Sequence, residues 1–239
     1  TIAKYGLDNW DELNDLVGSE DKYRELTLLS RQYRHYMRIN VASLQELIHI
    51  LDYTMPGVKK EFNSWDPENG KDKLSDFVEK YWHYDNIRRK SERQFVESNL
   101  AWAKKKGYHR NQNKAAKIYS MAKEGIPTLP ADQTTKMLVI QAIEVLRRVD
   151  ETLNTILARM QEIAKTLPEY TVVRSMGGVG DVLAPKLIAD IGDVRRFHNS
   201  KALIAYAGID APPYQSGQFI STNRNISKRG SSAIRKTGY

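Results

Sequence analysis

The sequence predicts a mainly α-helical protein, with long helices that form an antiparallel or dimeric coiled coil followed by a small C-terminal domain. Three observations predict this class. Apolar residues recur at helical spacing over 19–53, a longer seam of the same kind runs through 133–167, and short glycine-punctuated segments follow Leu167-Pro168. Hydrophobic residues make up 41% of the 239 residues, which is enough for a packed core and argues against general disorder.

The first long helix is predicted over residues 19–53, because apolar side chains recur there every three or four positions. Arg31, Arg34, His35 and Arg38 fall on the opposite face. We interpret that face as solvated, and a stripe that contacts nucleic acid is the alternative. The acidic residues before this helix are interpreted as a solvated helix start rather than a metal site, since no His lies near them. They are Asp8, Asp11, Glu12 and Asp15.

Residues 86–117 form the most basic segment, and a helix is predicted over 86–106. The segment holds ten Lys and Arg against two acids, with Phe95, Trp102, Tyr108 and Tyr119 interleaved. Aromatic residues among basic ones suit the backbone and bases of RNA or DNA. An amphipathic helix with core aromatics is the alternative. The candidate contacts to an RNA or DNA backbone are Arg88, Arg89, Lys104, Lys105 and Lys106.

The second long helix shows the strongest periodicity in the chain. Its apolar residues are spaced 3, 4, 3, 4, as in the a and d positions of a heptad seam. They are Val139, Ala142, Leu146, Val149, Leu153, Ile156, Met160, Ile163 and Leu167. The seam predicts a partner helix, which is either the helix of residues 19–53 or a second copy of the chain. Our hypothesis is a homodimer or a higher homo-oligomer.

A glycine-rich hairpin follows the second long helix. The run Ser175-Met-Gly-Gly-Val-Gly-Asp181 lies between two helical segments, as in a helix-hairpin-helix motif. Glycines at the start of a helix let backbone N–H groups approach a phosphate, so Gly178 and Gly180 are candidate DNA contacts. The alternative is a turn that needs a positive φ angle.

A rigid loop further along presents a serine. Pro212-Pro213-Tyr214-Gln215-Ser216-Gly217 would place the Ser216 hydroxyl on an exposed, tightly held turn. From Pro212 to Tyr239 there are five basic residues and no acidic one, a composition that attracts a polyanion. By itself this signal is weak, because a Ser before a Gly is most often an ordinary turn residue.

The bulk properties narrow the class of partner and the compartment. A net charge of +8 and an isoelectric point near 9.4 favour an acidic partner, nucleic acid before a membrane surface. The absence of cysteine excludes disulfides, Cys-ligated zinc and thiol catalysis in this sequence. No apolar run approaches the roughly 20 residues of a membrane span, and no signal-peptide pattern opens the chain. We therefore expect a cytoplasmic protein with no membrane partner.

Five runs together resemble one family, most specifically over residues 171–236. They are the Gly178-Val179-Gly180 hairpin, the Arg196-Phe197 turn, Tyr206-Ala207-Gly208, Gln215-Ser216-Gly217 and Ser227-Lys228-Arg229-Gly230. The family is that of insertion-sequence transposases that join an N-terminal DEDD (Holliday-resolvase-like) domain to a C-terminal serine-bearing domain. Bridge-RNA-guided recombinases and pilin-gene invertases belong to it. The resemblance implies three regions: 1–18 as the end of a truncated DEDD domain, 19–168 as a helical coiled-coil region, and 169–239 as the serine transposase domain, itself truncated.

The resemblance also implies roles for particular residues. Ser216 matches the nucleophile that attacks the scissile phosphate and holds the DNA strand covalently. Arg224, Lys228, Arg229 and Arg235 match basic positions of the family, and Lys186 is a further candidate DNA contact. Mg²⁺ is expected only for the full-length enzyme, bound by DEDD carboxylates that precede Thr1, and no metal ligand is assigned here. The implied partners are the DNA of element ends and target, with a guide RNA in some relatives. This chain alone is expected to be unable to cut DNA.

Two other classes of function stay open from the residues. One is a noncatalytic DNA-binding or scaffold protein that uses only the hairpin and the coiled coil. The other is a repair enzyme of the helix-hairpin-helix type, such as a glycosylase, for which Asp190 and Asp193 are the available acids. That class gives no role to the Gln215-Ser216-Gly217 and Ser227-Lys228-Arg229-Gly230 runs.

Overall fold

The computed structural model describes residues 21–62, 72–211 and 225–238, together with the backbone of 215–216 and 219–220. Ten α-helices lie in this part of the chain, which confirms the mainly α-helical prediction. They are α1 (Asp21–Thr54), α2 (Lys73–Tyr81), α3 (Tyr84–Arg88), α4 (Glu92–Lys106), α5 (Gln112–Glu124), α6 (Gln133–Lys165), α7 (Tyr170–Arg174), α8 (Leu183–Ile191), α9 (Ser200–Ala207) and α10 (Ser232–Thr237). Two 3₁₀ turns (Val58–Glu61 and Val194–Arg196) and two strands, β1 (Gln215–Ser216) and β2 (Phe219–Ile220), complete the described elements.

The chain divides into two compact units. One consists of Thr1–His35 with Leu153–Tyr239, and the other of Tyr36–Thr152. The division falls inside the long helices α1 and α6. The three regions proposed from the sequence, with boundaries at residues 18 and 168, stay a prediction.

The long helices α1 and α6 pack together in antiparallel directions. In the unit Tyr36–Thr152, Leu47 and Leu51 share a core with Val139, Ile143 and Leu146, and Asn40 Nδ2 donates to Asp150 Oδ1 at 2.6 Å. In the other unit, Tyr23 and Leu26 share a core with Met160 and Ile163, and Arg159 lies 2.8 Å from Glu25.

The heptad seam of α6 is covered within the single chain. Seven of its nine positions are buried, and Ala142 and Ile156 are half-buried. This burial favours the internal helix as the partner of the seam. The homo-oligomer stays a prediction, which would need a different surface.

Phe77 lies at the centre of the core of the Tyr36–Thr152 unit. Its ring centroid is 4.9 Å from Phe62, 4.8 Å from Tyr81 and 5.8 Å from Trp102. Phe95 is fully buried and packs against Tyr81 at 5.2 Å. The aromatic residues of the basic segment that are buried here, Phe95 and Trp102, therefore build the core and offer no face to a nucleobase.

The continuous helix predicted over 86–106 is wrong, because a cap interrupts it. The Ser91 side chain accepts from the N–H of Gln94, and the Gln94 side chain accepts from the N–H of Ser91. This reciprocal pair is a capping box, which starts a new helix at Glu92. Gly107, with φ of 74°, ends that helix.

Helix α2 ends at Tyr81, and the buried His83 that follows has two local roles. Its Nδ1 accepts from the N–H of Asp85, which caps α3, and its Nε2 lies 3.0 Å from the Leu129 carbonyl. None of the helices in the described ranges combines the length and the apolar character that crossing a bilayer requires.

Candidate nucleic-acid interface

The glycine hairpin joins α7 to α8, as the sequence indicates. Gly178 has a φ of +82°, so the backbone there requires the conformation that glycine adopts easily. A Cβ added at Gly178 or Gly180 would meet no atom within 4 Å, so the surface of the hairpin is open at both positions. The Gly180 carbonyl accepts from the N–H groups of Leu183 and Ala184, at 3.1 and 3.0 Å, and this starts α8.

Side chains from α6 and α7 brace this hairpin. The Arg174 guanidinium donates to the Val179 carbonyl at 2.5 Å and lies 2.9 Å from the Asp181 carboxylate. Tyr170 donates its hydroxyl to Asp181 at 3.1 Å, and Gln161 donates to the Asp181 carbonyl at 3.0 Å. Val182 at the start of α8 makes no side-chain cap. No capping side chain covers the start of α8, although the N–H groups of Leu183 and Ala184 already donate to the Gly180 carbonyl.

Two of the sequence motifs meet at a tight contact, which we call the backbone junction: residues 206–210 against 227–231. The N–H of Ser231 donates to the Tyr206 carbonyl at 2.7 Å, and the N–H of Lys228 donates to the Gly208 carbonyl at 3.0 Å. A Cβ on Gly230 would collide with the Tyr206 carbonyl and with the N–H of Gly208. The glycines of the Tyr-Ala-Gly and Ser-Lys-Arg-Gly runs are therefore required by the close approach of two backbones.

The backbone junction also closes the loop that contains Ser216. The Ser227 hydroxyl donates to Asp210 Oδ1 at 2.5 Å, and the N–H of Ser227 donates to the Asp210 carbonyl at 2.7 Å. Asp210 and Ser227 flank residues 211–226, so both ends of this loop are held together.

Ser216 lies in a short antiparallel pair of strands within that loop. Gln215 pairs with Ile220, and Ser216 pairs with Phe219. The Ser216 side chain lies outside the described residues, and so does Arg224.

The other basic candidates of this region divide into two groups. Lys228 and Arg229 are exposed beside the loop, and Lys228 adopts a φ of 55°. Arg235 is half-buried and donates to the carbonyls of Ala207 and Gly230, at 2.9 and 3.1 Å, which favours a structural role in the backbone junction. Lys186 is half-buried with its Nζ 4.1 Å from the Tyr33 ring centroid, and burial lowers its pKa.

Asp190 has a role that sequence reasoning missed. Its side chain is only 3% exposed and accepts from Ser30, Arg34 and Thr237, at 3.2, 2.5 and 2.9 Å. It thereby joins α1, α8 and α10. Its position in the last turn of α8 was the available signal, because a carboxylate is unfavourable at a helix C-terminus unless it has a cationic partner. The interpretation of the Arg34 face as solvated is wrong at Arg34.

Asp193, the second acid considered for a repair enzyme, forms an ion pair with Arg195. It accepts from the N–H of Arg195 and lies 2.9 Å from the Arg195 guanidinium, which holds the pKa of Asp193 below its usual range. With Asp190 and Asp193 both engaged in local contacts, neither favours the repair-enzyme hypothesis.

The basic candidates of the other unit are also divided. Arg88 is half-buried and donates to the carbonyls of Ala122 and Gly125, with Asp85 at 3.0 Å, so its contacts favour a structural role. Arg89, Lys104 and Lys105 are exposed. Lys106 lies 3.2 Å from Asp76.

Residues 170–239 match the model of the transposase IS116/IS110/IS902 family. This match includes the hairpin, the backbone junction and the loop of Ser216, and it confirms the transposase part of the resemblance for these residues. No solved structure gives a significant match.

Two curated relatives agree with the family match. The chain is 33% identical over 92 residues to the transposase for insertion sequence element IS1111A of Coxiella burnetii, a match covering 38% of this chain and 25% of the relative. It is 27% identical over 104 residues to the insertion element IS116 uncharacterized 44.8 kDa protein of Streptomyces clavuligerus, covering 44% of this chain and 26% of the relative. The chain thus spans about a quarter of the length of the relatives it matches.

The described residues offer no ligand set for a metal. Across 21–62, 72–211 and 225–238, no group of three or more His, Asp or Glu side chains could hold an ion. Mg²⁺ therefore does not fit these residues.

Proposed function

We propose that residues 170–239 are the strand-cleaving part of an insertion-sequence transposase, with Ser216 as the nucleophile. One observation supports this best. The backbone junction brings two runs of the family-matched segment together at the base of the loop that contains Ser216. A nucleophile must be held in one geometry to react efficiently, and a fixed base of its loop favours this.

The reaction is a transfer of a DNA phosphoryl group to the serine. The Ser216 Oγ forms a bond to phosphorus and loses its proton to a base, while one bridging P–O bond of the DNA breaks and the departing oxygen gains a proton. Rejoining reverses these events, when a strand hydroxyl attacks the phosphoserine and restores the free Ser216 hydroxyl. A serine hydroxyl is a weak nucleophile and needs positive charge to stabilise the crowded phosphorane. Lys228 and Arg229, exposed next to the loop, are suited to supply it.

The braced hairpin is suited to holding the DNA. The open surface at Gly178 and Gly180 would contact backbone phosphates without reading sequence. This part of the proposal would also serve a noncatalytic scaffold. The two functions differ at the Oγ of Ser216.

The complete enzyme is proposed to act on the DNA of element ends and target as a homo-oligomer, guided by RNA if it resembles the bridge-RNA members. We propose that the complete enzyme also contains an acidic domain of the DEDD type, because the curated relatives are about four times as long as the segment they share with this chain.

The test uses the polypeptide with its acidic domain, incubated with Mg²⁺ and labelled element DNA and run on a denaturing gel. We expect a covalent protein–DNA adduct that Ser216→Ala abolishes. Ser227→Ala is the matched control, because it removes a hydroxyl at the base of the same loop. That hydroxyl donates to Asp210. We expect it to weaken the adduct without abolishing it.

Two outcomes would contradict the proposal. Cleavage that persists in Ser216→Ala without any adduct would assign hydrolysis to the acidic domain alone, with this segment as a DNA-binding module. An adduct lost in Ser227→Ala and kept in Ser216→Ala would make Ser227 the nucleophile.

A further inference from the structure

The Tyr36–Thr152 unit contains a cleft with two half-buried lysines, which we call the lysine cleft. Lys73 at the start of α2 and Lys114 in the first turn of α5 both line it. Its other walls include Phe62, Asn99 and Trp102, with His109 and Asn111 from the turn between α4 and α5. The cleft is shallow and open to solvent.

Within the described part of the chain, neither ammonium group lies within ion-pair distance of a carboxylate. Lys73 Nζ donates to the His109 carbonyl at 3.2 Å and lies 5.3 Å from the Tyr108 ring centroid. Lys114 Nζ lies 4.7 Å from the Phe62 ring centroid. The acid near Lys114 is Glu61, which pairs with Lys117 at 2.8 Å.

Burial disfavours the charged form of both lysines, and the charge of Lys114 adds to this effect at Lys73. Burial lowers the pKa of Lys73, and the charge of Lys114 lowers it further. Burial also lowers the pKa of Lys114, against an opposing contribution from Glu61. Two partly desolvated cations that line the same cleft are stabilised when an anion binds between them.

We propose that the lysine cleft binds a backbone phosphate of a nucleic acid, with Lys73 and Lys114 as its two cationic ligands. The surroundings favour a polyanion over a small free anion. Lys104, Lys105 and Arg110 are exposed at the end of α4 and in the turn that borders the cleft. Further phosphates of the same strand would meet these side chains.

The cleft would contact the backbone of the nucleic acid and not its bases. Phe62 and Trp102 are 7% and 8% exposed, so no ring face is available for stacking. We therefore expect binding that depends on phosphate spacing and salt and shows little dependence on sequence. The proposal is independent of Ser216, because the cleft lies outside residues 170–239.

The test measures binding of the whole chain to fluorescein-labelled probes by anisotropy at several salt concentrations. The probes are an oligouridylate, an oligothymidylate and a mixed-sequence DNA duplex, with inorganic phosphate as competitor. We expect Lys73→Gln with Lys114→Gln to weaken binding roughly tenfold or more, and to lower the slope of log affinity against log salt by about 1.5. The RNA and DNA arms identify the source of the phosphate.

Two control variants separate a phosphate site from general charge and from folding. Lys123→Gln with Lys136→Gln makes the same charge change in the same unit at exposed positions away from the cleft, and about twofold weakening or less is expected. Lys73→Arg with Lys114→Arg keeps both cations and should retain most of the binding. Circular dichroism at rising temperature confirms that each variant folds.

Proton uptake gives a second signature. A bound phosphate raises the lysine pKa values, so binding takes up protons. We therefore expect the affinity to fall as the pH rises toward the ordinary Lys pKa of about 10.4. The other titratable groups around the cleft, Asp72, Glu61, Lys117 and His109, are unchanged in the Gln double variant, which should lose this pH dependence. Equal weakening in both Gln double variants, or binding of inorganic phosphate with no binding of any oligonucleotide, would overturn the proposal.

Discussion

The backbone junction and the aromatic core of the Tyr36–Thr152 unit are held together by different interactions. In the core, Phe77 contacts three other aromatic rings, and side chains from α1 to α6 contribute to one continuous cluster. At the backbone junction, α9 buries only Ala207 and α10 only Ile234. That region depends on hydrogen bonds between backbones and on glycines that let the chains approach.

This difference indicates where each region tolerates change. A large apolar core loses stability in proportion to the volume removed, and neighbouring side chains relax only partly around the cavity. A contact between two backbones has no side chain that can adjust, so one added methyl group displaces the chain itself. We expect substitutions in the core to change global stability, and substitutions in the backbone junction to change local geometry and the proposed function.

The largest expected effect is on the aromatic core. Phe77→Ala should lower the free energy of unfolding by about 3–5 kcal/mol, because it leaves a cavity among Phe62, Tyr81 and Trp102. Urea denaturation measures the loss, and amide exchange locates it. The control Val145→Ala removes a half-exposed side chain from α6 and should change stability by less than about 0.5 kcal/mol. Equal loss of amide protection at residues 206–210 would show that the core and the backbone junction unfold together, which would contradict their independent stabilisation.

The backbone junction should respond to a single methyl group. Gly230→Ala is expected to cost about 1–3 kcal/mol locally, since its Cβ overlaps the Tyr206 carbonyl and the N–H of Gly208. Amide exchange should accelerate at Lys228 and Ser231, and the proposed adduct at Ser216 should fall by an order of magnitude or more. Gly177→Ala is the matched control, because its Cβ would lie in open space. Unchanged exchange in Gly230→Ala would mean that the two segments do not need their close approach.

The sequence predicted the parts of this molecule whose signal is a periodic side-chain pattern. The 3, 4 spacing located α1 and α6 and gave the buried side of α6 correctly. The contact at the backbone junction could not be predicted from the sequence, although its motifs were visible. A contact between main chains requires glycine at two points but imposes no fixed spacing between them. The role of Arg88 was equally hidden. A basic residue that donates to two carbonyls has the same local sequence pattern as one that faces solvent, and only the position of Ala122 and Gly125 distinguishes them.

The smallest expected effect concerns an ion pair on the surface of the Tyr36–Thr152 unit. Arg147 donates to both Glu79 oxygens, at 3.1 and 2.8 Å, and this hydrogen bonding holds the pKa of Glu79 below its ordinary value. A carboxylate with a depressed pKa contributes stability above its unfolded pKa of about 4.3, and loses that contribution as pH falls through its folded pKa. Both partners are well exposed to solvent, so the contribution should stay below about 1 kcal/mol at neutral pH.

Comparison with Glu79→Gln isolates this contribution. Asp76 and Lys106, the other charged groups beside Glu79, are present in both proteins. Urea denaturation should show the parent more stable at about pH 7, and the difference should shrink as pH falls below the ordinary Glu pKa of about 4.3 and Glu79 becomes protonated in both states. A difference that persists at acid pH would assign the effect to packing rather than charge. We expect this effect to be the smallest of the three, because the Arg147–Glu79 pair lies on the exposed surface of a unit that is stabilised mainly by its core.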